Sequence, residues 1–465
     1  MLTTILAAGV LAPGSTEITI YNQGLGFVKD VRTVSLRKGS QDVVVDDVAQ
    51  QIDATSVGFK CLNNPGSVSV LEQNYQFDLI SPNAILNKSV GKRVRFTRTV
   101  GNKKETLEGV LLSAPTAIVN TGNGSEETYN GLVIKADDGR IILSPEGEVD
   151  VLDMPNGLIS KPSLLWQVDS DVDQEAKMEL SYLTGGMSWN ANYVLTLGAQ
   201  GTGDLKGWVT LNNQSGLSFQ DAKLKLLAGE VNVVNEVQTQ GELRFRDVAA
   251  IKAKTESDFK EEGFFEYHLY TLQRPATVKN KEVKQLSLLE GLNIPIRKVL
   301  AIHNYAYAGQ SAYDNADQAA AVSLKFVNDQ KSHLGMPLPA GKMRFFQRDT
   351  AGSLQFLGED QIKHTPKDEK LSLSIGKAFD VKASHKRTNY TKLNKNSSRS
   401  SYEVEVRNRK KTAETVYIYE HLNGSWKVTA KSSDFVKEDS NTIVFEVKLK
   451  AGETKTVKYT VDSKY

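Results

Sequence analysis

Side chains do chemistry when their spacing lets them share a metal, a proton or a nucleophile, and few in this chain are so spaced. The six histidines stand at His268, His303, His333, His364, His385 and His421. No two fall within the three-to-five-residue separation of a local metal pair. His268 alternates with Phe264, Glu266 and Tyr270, the pattern of a structural histidine on a strand. There is no Gly-x-Ser-x-Gly elbow. The stretch Leu183-Thr184-Gly185-Gly186-Met187-Ser188-Trp189 lacks the lysine and the strand-to-helix setting of a phosphate loop. Gly185 and Gly186 read instead as a turn, with Trp189, Tyr193 and Trp208 packing at a sandwich rim or core. Glu359-Asp360 is the only carboxylate pair in a motif-like setting. Adjacent strand residues face opposite ways, so the pair suits a turn better than a glycosidase cleft. Cys61, the single cysteine, excludes an internal disulfide and reads as a buried thiol in the half-buried run Gly58-Phe59-Lys60-Cys61-Leu62. No catalytic, metal or cofactor-binding residue is nominated, and no cofactor is expected.

One run points to binding. From Lys382 to Lys411 ten lysines and arginines face only Glu403 and Glu405. The Asn and Ser residues within it suggest a flexible basic loop entering a strand. Its candidate anion-binding residues are Lys386, Arg387, Arg409, Lys410 and Lys411, able to meet an anionic polymer, a headgroup or an acidic subunit. The solvated-loop reading stands beside that one.

The elements that must position these residues are strands. At 465 residues the chain should divide into roughly three or four domains. The formal net charge of +2 forces neither a polyanion partner nor an acidic tail. Short alternating runs of β-branched residues, broken by Gly, Asn and Asp turns, predict an all-β chain of sandwich and barrel modules in series. The expected divisions are an apolar leader or arm over 1–16, an N-terminal β-domain over 17–85, a small barrel-like module over 86–157, a β-sandwich over 158–380 with an exposed insertion at 235–262, and an immunoglobulin-like sandwich over 381–465. Ser81-Pro82 should start one short helix. The small module lacks repeated exposed aromatics, so no nucleic acid is expected. The first twelve residues are apolar and uncharged but too short to span a membrane. They read as a weak export signal, a buried strand or an arm for a sheet edge.

The segments LSYLTGGMSWNANYVLTL and LKGWVTLNNQSGLSFQDAKLKLLAGEVN resemble the core of the mucoidy-inhibitor-like family, domain of unknown function 4139. The resemblance continues through FFEYHLYTLQRPATVKNKEVKQLSLL to the closing AGETKTVKYTV, from about Lys161 to the end. Many relatives carry a coiled coil before this core, where this chain has its small β-module. The resemblance implies an exported bacterial β-protein and supplies no catalytic residues.

These readings make the chain an extracytoplasmic, non-enzymatic structural or interaction protein of the cell envelope, self-assembling through sheet edges. Its expected partners are other envelope proteins or its own subunits. Two alternatives remain open: a hydrolase assembled from distant residues, and a module for anionic envelope polysaccharide.

Overall fold

Alternation is the local rule that the chain obeys. Leu25–Leu36 buries Val28, Val34 and Leu36 on one face while its other face turns outward, and Gln174–Gly185 repeats the pattern with Ala176, Met178, Leu180 and Tyr182. Burying one face of each strand is what drives such segments together. In a computed structural model the described residues are 9–10, 12–100, 103–114, 117–121, 125–129, 131–143, 147–198, 201–232, 259–306 and 314–464. The fold is all-β, in several sheets. The one α-helix among the described residues, Pro82–Lys88, begins where Ser81 accepts a hydrogen bond from the Ala84 amide, as the Ser-Pro signal predicts.

Residues 93–151 carry a five-stranded sheet around Val94, Phe96, Leu111, Leu132 and Ile134, in the place expected for the small module. Two expected boundaries need correction. Residues 17–85 do not close a domain of their own: Leu25–Leu36 pairs antiparallel with Gln174–Gly185 over twelve positions, and Ala12–Tyr21 runs parallel to Phe219–Ala228. Ile18, Ile20, Leu180 and Leu224 accordingly share one hydrophobic core. The boundary at 380 falls inside a single 25-residue strand, Lys370–Asn394. Arg297–Ala306 and Asn315–Val327, expected in the preceding sandwich, join the C-terminal sheet beside Glu414–Leu422 and Lys370–Asn394. In both places unpaired strand edges and apolar faces found partners far away in sequence.

That C-terminal sheet has nine strands. Glu414–Leu422 and Thr454–Lys464 are separated by four intervening strands, roughly 24 Å in a flat sheet. Yet the Tyr459 hydroxyl donates to Glu420 Oε2 at 2.7 Å. The sheet is therefore rolled over its own core, which holds Val404, Ile418, Phe445 and Val457.

Gly9–Val10 of the apolar leader pairs parallel with Val43 and Val44 at the edge of a four-stranded sheet. Residues 1–8 and 11 of that segment, and residues 235–258 of the expected insertion, lie outside the described residues; Lys260–Glu262 belong to a strand, Phe259–Phe264.

Candidate functional site

The five-stranded sheet that holds Trp189 and Tyr193 meets the rolled nine-stranded sheet at a waist, and Ile296 alone joins Glu282–Pro295 of the first to Arg297–Ala306 of the second. Gly358 lets the two approach: a Cβ there would stand 2.5 Å from the Ile375 carbonyl oxygen, and its φ of +153° disfavours other residues. Asp360 ties the same contact by accepting the Ser374 amide at 2.7 Å. Glu359 faces away, bound to Lys342 and Arg344. The two carboxylates sit on a strand, Leu354–Ile362, rather than in the expected turn, and point apart.

Beside this contact lies a cleft of about 540 Å³, within the usual range for ligand sites. Its floor is apolar: Leu197, Ile296, Val322, Leu324 and Ile375. Lys298, Lys377 and Lys410 line its rim. Glu414 accepts from Lys298 and Lys410, each at 3.0 Å. Burial pulls its carboxyl upward, but the two lysines outweigh that and hold it below its ordinary value. Lys377 has no carboxylate in ion-pair reach among the described residues. On the far side of Ile296 a second cleft, about 620 Å³, is lined by Arg297, Lys325 and Lys370. The waist is thus a positive belt over apolar ground, able to attract a carboxylate and to bury a nonpolar group beside it.

The expected basic loop is a strand hairpin, Lys370–Asn394 with Ser397–Asn408, and much of its charge is paired. Lys382 and Arg407 share Asp317, and Arg399 binds Asp462. Lys386 and Arg387 lie about 16–20 Å along the strand from the turn at Arg409, because Val381 already pairs with Asn408. Arg387 packs over the Tyr390 ring, and Arg409 donates to the Gly452 carbonyl. Of the five candidate residues only Lys410 lines the cleft; Lys411 is exposed in the turn.

Three histidines gained partners that spacing did not announce. His303 and His421 sit on adjacent parallel strands, Nδ1 to Nε2 at 3.2 Å. Their ring centroids are 5.5 Å apart, longer than that contact by about two ring radii, so the rings meet end to end through one N–H···N bond. Tyr419 stacks on His303 and Tyr305 on His421. Inside the rolled sheet, His385 Nε2 stands 3.6 Å from Glu420 Oε2, and both side chains are sealed, at 1% and 0% exposure. That pair can hold a proton but cannot meet a substrate. Only contact across the fold makes these pairs, so no local signal could have revealed them. Trp189 and Tyr193 are buried, donating to the Leu227 and Pro339 carbonyls, while Trp208 is 38% exposed at the rim. Cys61 is buried, and His268 bonds Glu261 on the neighbouring strand. Among the described residues no helix is long and apolar enough to cross a membrane, and no three metal-ligating side chains converge.

Residues 178–465 match a family model described as Domain of unknown function (DUF4139). No curated protein matches the chain.

Proposed function

The chain belongs to the DUF4139 family, and from that premise we propose that it is an exported, non-enzymatic interaction protein of the cell envelope whose waist cleft receives an acidic, partly apolar partner. The observation that carries this reading is the combination of an apolar floor with the Lys298, Lys377 and Lys410 rim. A bare polyanion such as an acidic polysaccharide would use the rim and waste the floor; a partner presenting carboxylates around apolar side chains uses both. The mucoidy-inhibitor-like resemblance supplies the envelope setting. The competing hydrolase reading needs a solvent-open acid–base pair, and Glu414, the carboxylate bonded to two of the cleft's lysines, is clamped between them.

The test is fluorescence anisotropy with two labelled probes, polyglutamate and a random glutamate–tyrosine copolymer. The copolymer should bind more tightly than polyglutamate, and its affinity should fall as salt rises. Lys377→Glu should weaken it at least tenfold, whereas Lys411→Glu, outside the cleft, should leave it near wild type. Equal binding of both probes, or an undiminished Lys377→Glu variant, refutes the cleft as the contact.

A further inference from the structure

The strands Phe259–Phe264 and Tyr267–Leu272 form a hairpin at the edge of the eight-stranded sheet, closed by the Phe264–Tyr267 pair. Its two-residue tip is Phe265-Glu266. Such a tip ordinarily takes Gly, Asn or Asp where φ is positive. Here Phe265 holds φ +54° with its side chain 86% exposed, and Phe264 beside it is 54% exposed. Among the described residues only Tyr267 has a ring contact with Phe265, at 6.3 Å between ring centroids. Within the hairpin, residues 259–272, Glu261, Glu262 and Glu266 stand against one lysine, Lys260, and Glu261 also bonds His268.

The tip therefore carries two apolar rings within a carboxylate collar, and the waist cleft carries an apolar floor within a lysine rim. No residue of the hairpin lines the cleft of its own chain. We infer that the Phe264-Phe265 tip of one copy docks into the waist cleft of a second copy, the Phe265 ring on Ile296 and Leu324 and the glutamates against Lys298 and Lys377. This rests on the cleft being an interaction site and names its partner as another copy of the same chain. Tip and cleft are different surfaces, so the contact is heterologous: each copy offers a free tip at one end and a free cleft at the other, and copies add head to tail into a ring or filament. The surfaces are small against the ~1,600 Å² of a standard interface. Each contact is accordingly weak, and length comes from repetition. The exposed aromatic and its uncommon backbone conformation gain stabilising contacts in the assembly.

Sedimentation velocity on the full chain tests this across concentrations up to about 1 mM. Wild type should show an average mass that climbs with concentration and falls back at high salt. Phe264→Ser/Phe265→Asn removes the rings and supplies a residue at ease with positive φ; Lys298→Glu/Lys377→Glu reverses the rim. Each variant alone should stay monomeric at concentrations where wild type associates. Mixed one to one, they should form dimers that grow no further, because the intact tip of one meets the intact cleft of the other. The mixed dimer also shows that both variants are folded. A wild type that remains monomeric overturns the inference, as do variants that associate like wild type or a mixture without dimers. If association is absent but the copolymer still binds in a manner dependent on Lys377, self-docking fails while the interaction reading stands. If both are absent, both fail.

Discussion

Replacing Glu420 with Gln should change how the C-terminal module responds to pH far more than how stable it is at any one pH. Glu420 accepts from Asn304 Nδ2 and from the Tyr459 hydroxyl, each at 2.7 Å. Burial pushes its carboxyl up to about 7, against the pull of those two bonds. Beside it, burial holds His385 down at about 4, with Asp314 pulling the other way, and neither His385 ring nitrogen has a hydrogen-bond partner among the described residues. A carboxyl with a raised folded pKa contributes stability that is complete below its unfolded value near 4.5 and is lost as pH rises toward 7. A histidine with a depressed folded pKa contributes the reverse: stability present above 6.5 and lost as pH falls toward 4. Between pH 4.5 and 6.5 the two nearly cancel, since the pair keeps one proton in the folded protein and one in the unfolded chain, whichever group holds it. Glu420→Gln leaves the histidine alone. Its stability relative to wild type should therefore climb with pH by about 1.4 kcal/mol per unit, roughly 3 kcal/mol in all between pH 4.5 and 7. His385→Gln should show the mirror image, losing stability relative to wild type as pH rises from 4 to 6.5. Urea unfolding at half-unit pH intervals, followed by hydrogen exchange in Glu414–Leu422, reads the difference directly. A Glu420→Gln offset that stays constant from pH 4 to 7 would refute the shared-proton account.

The other expectations concern the waist, the core and the outer face. Gly358→Ala forces a Cβ against the Ile375 carbonyl and should destabilise by about 1–3 kcal/mol, seen as a lowered melting temperature; an unchanged melt would mean the sheets can part there freely. Tyr193→Phe leaves the buried Pro339 carbonyl without its 2.8 Å donor and should cost about 1 kcal/mol in urea unfolding. Retained stability would show that carbonyl to be solvated. His303 is held below its ordinary value by burial and then by His421. In His421→Asn its NMR titration should move upward, and a stationary midpoint would remove His421 as a cause.

The sequence by itself determined what a period of two can carry. Alternation along Leu25–Leu36 or Thr202–Asn213 decides which side chains face inward whatever the strand's neighbours, so the all-β class, the five strands of the small module and the burial of Trp189 and Tyr193 were legible. The Ser81 cap was equally local. Which edges pair was not, because a strand's hydrogen-bonding edge is the same backbone in every sequence and the choice of partner is a global minimum. That choice sent Leu25–Leu36 to Gln174–Gly185 and carried Lys370–Asn394 across an expected boundary. It also built the sites. Lys410 was visible within a basic run, but Lys298 and Lys377 are single lysines on separate strands, and only the meeting of two sheets around Ile296 brings all three to one cleft. His385 and Glu420, 35 positions apart in the chain, come within 3.6 Å because the nine-stranded sheet rolls over its own core and shuts both away from water.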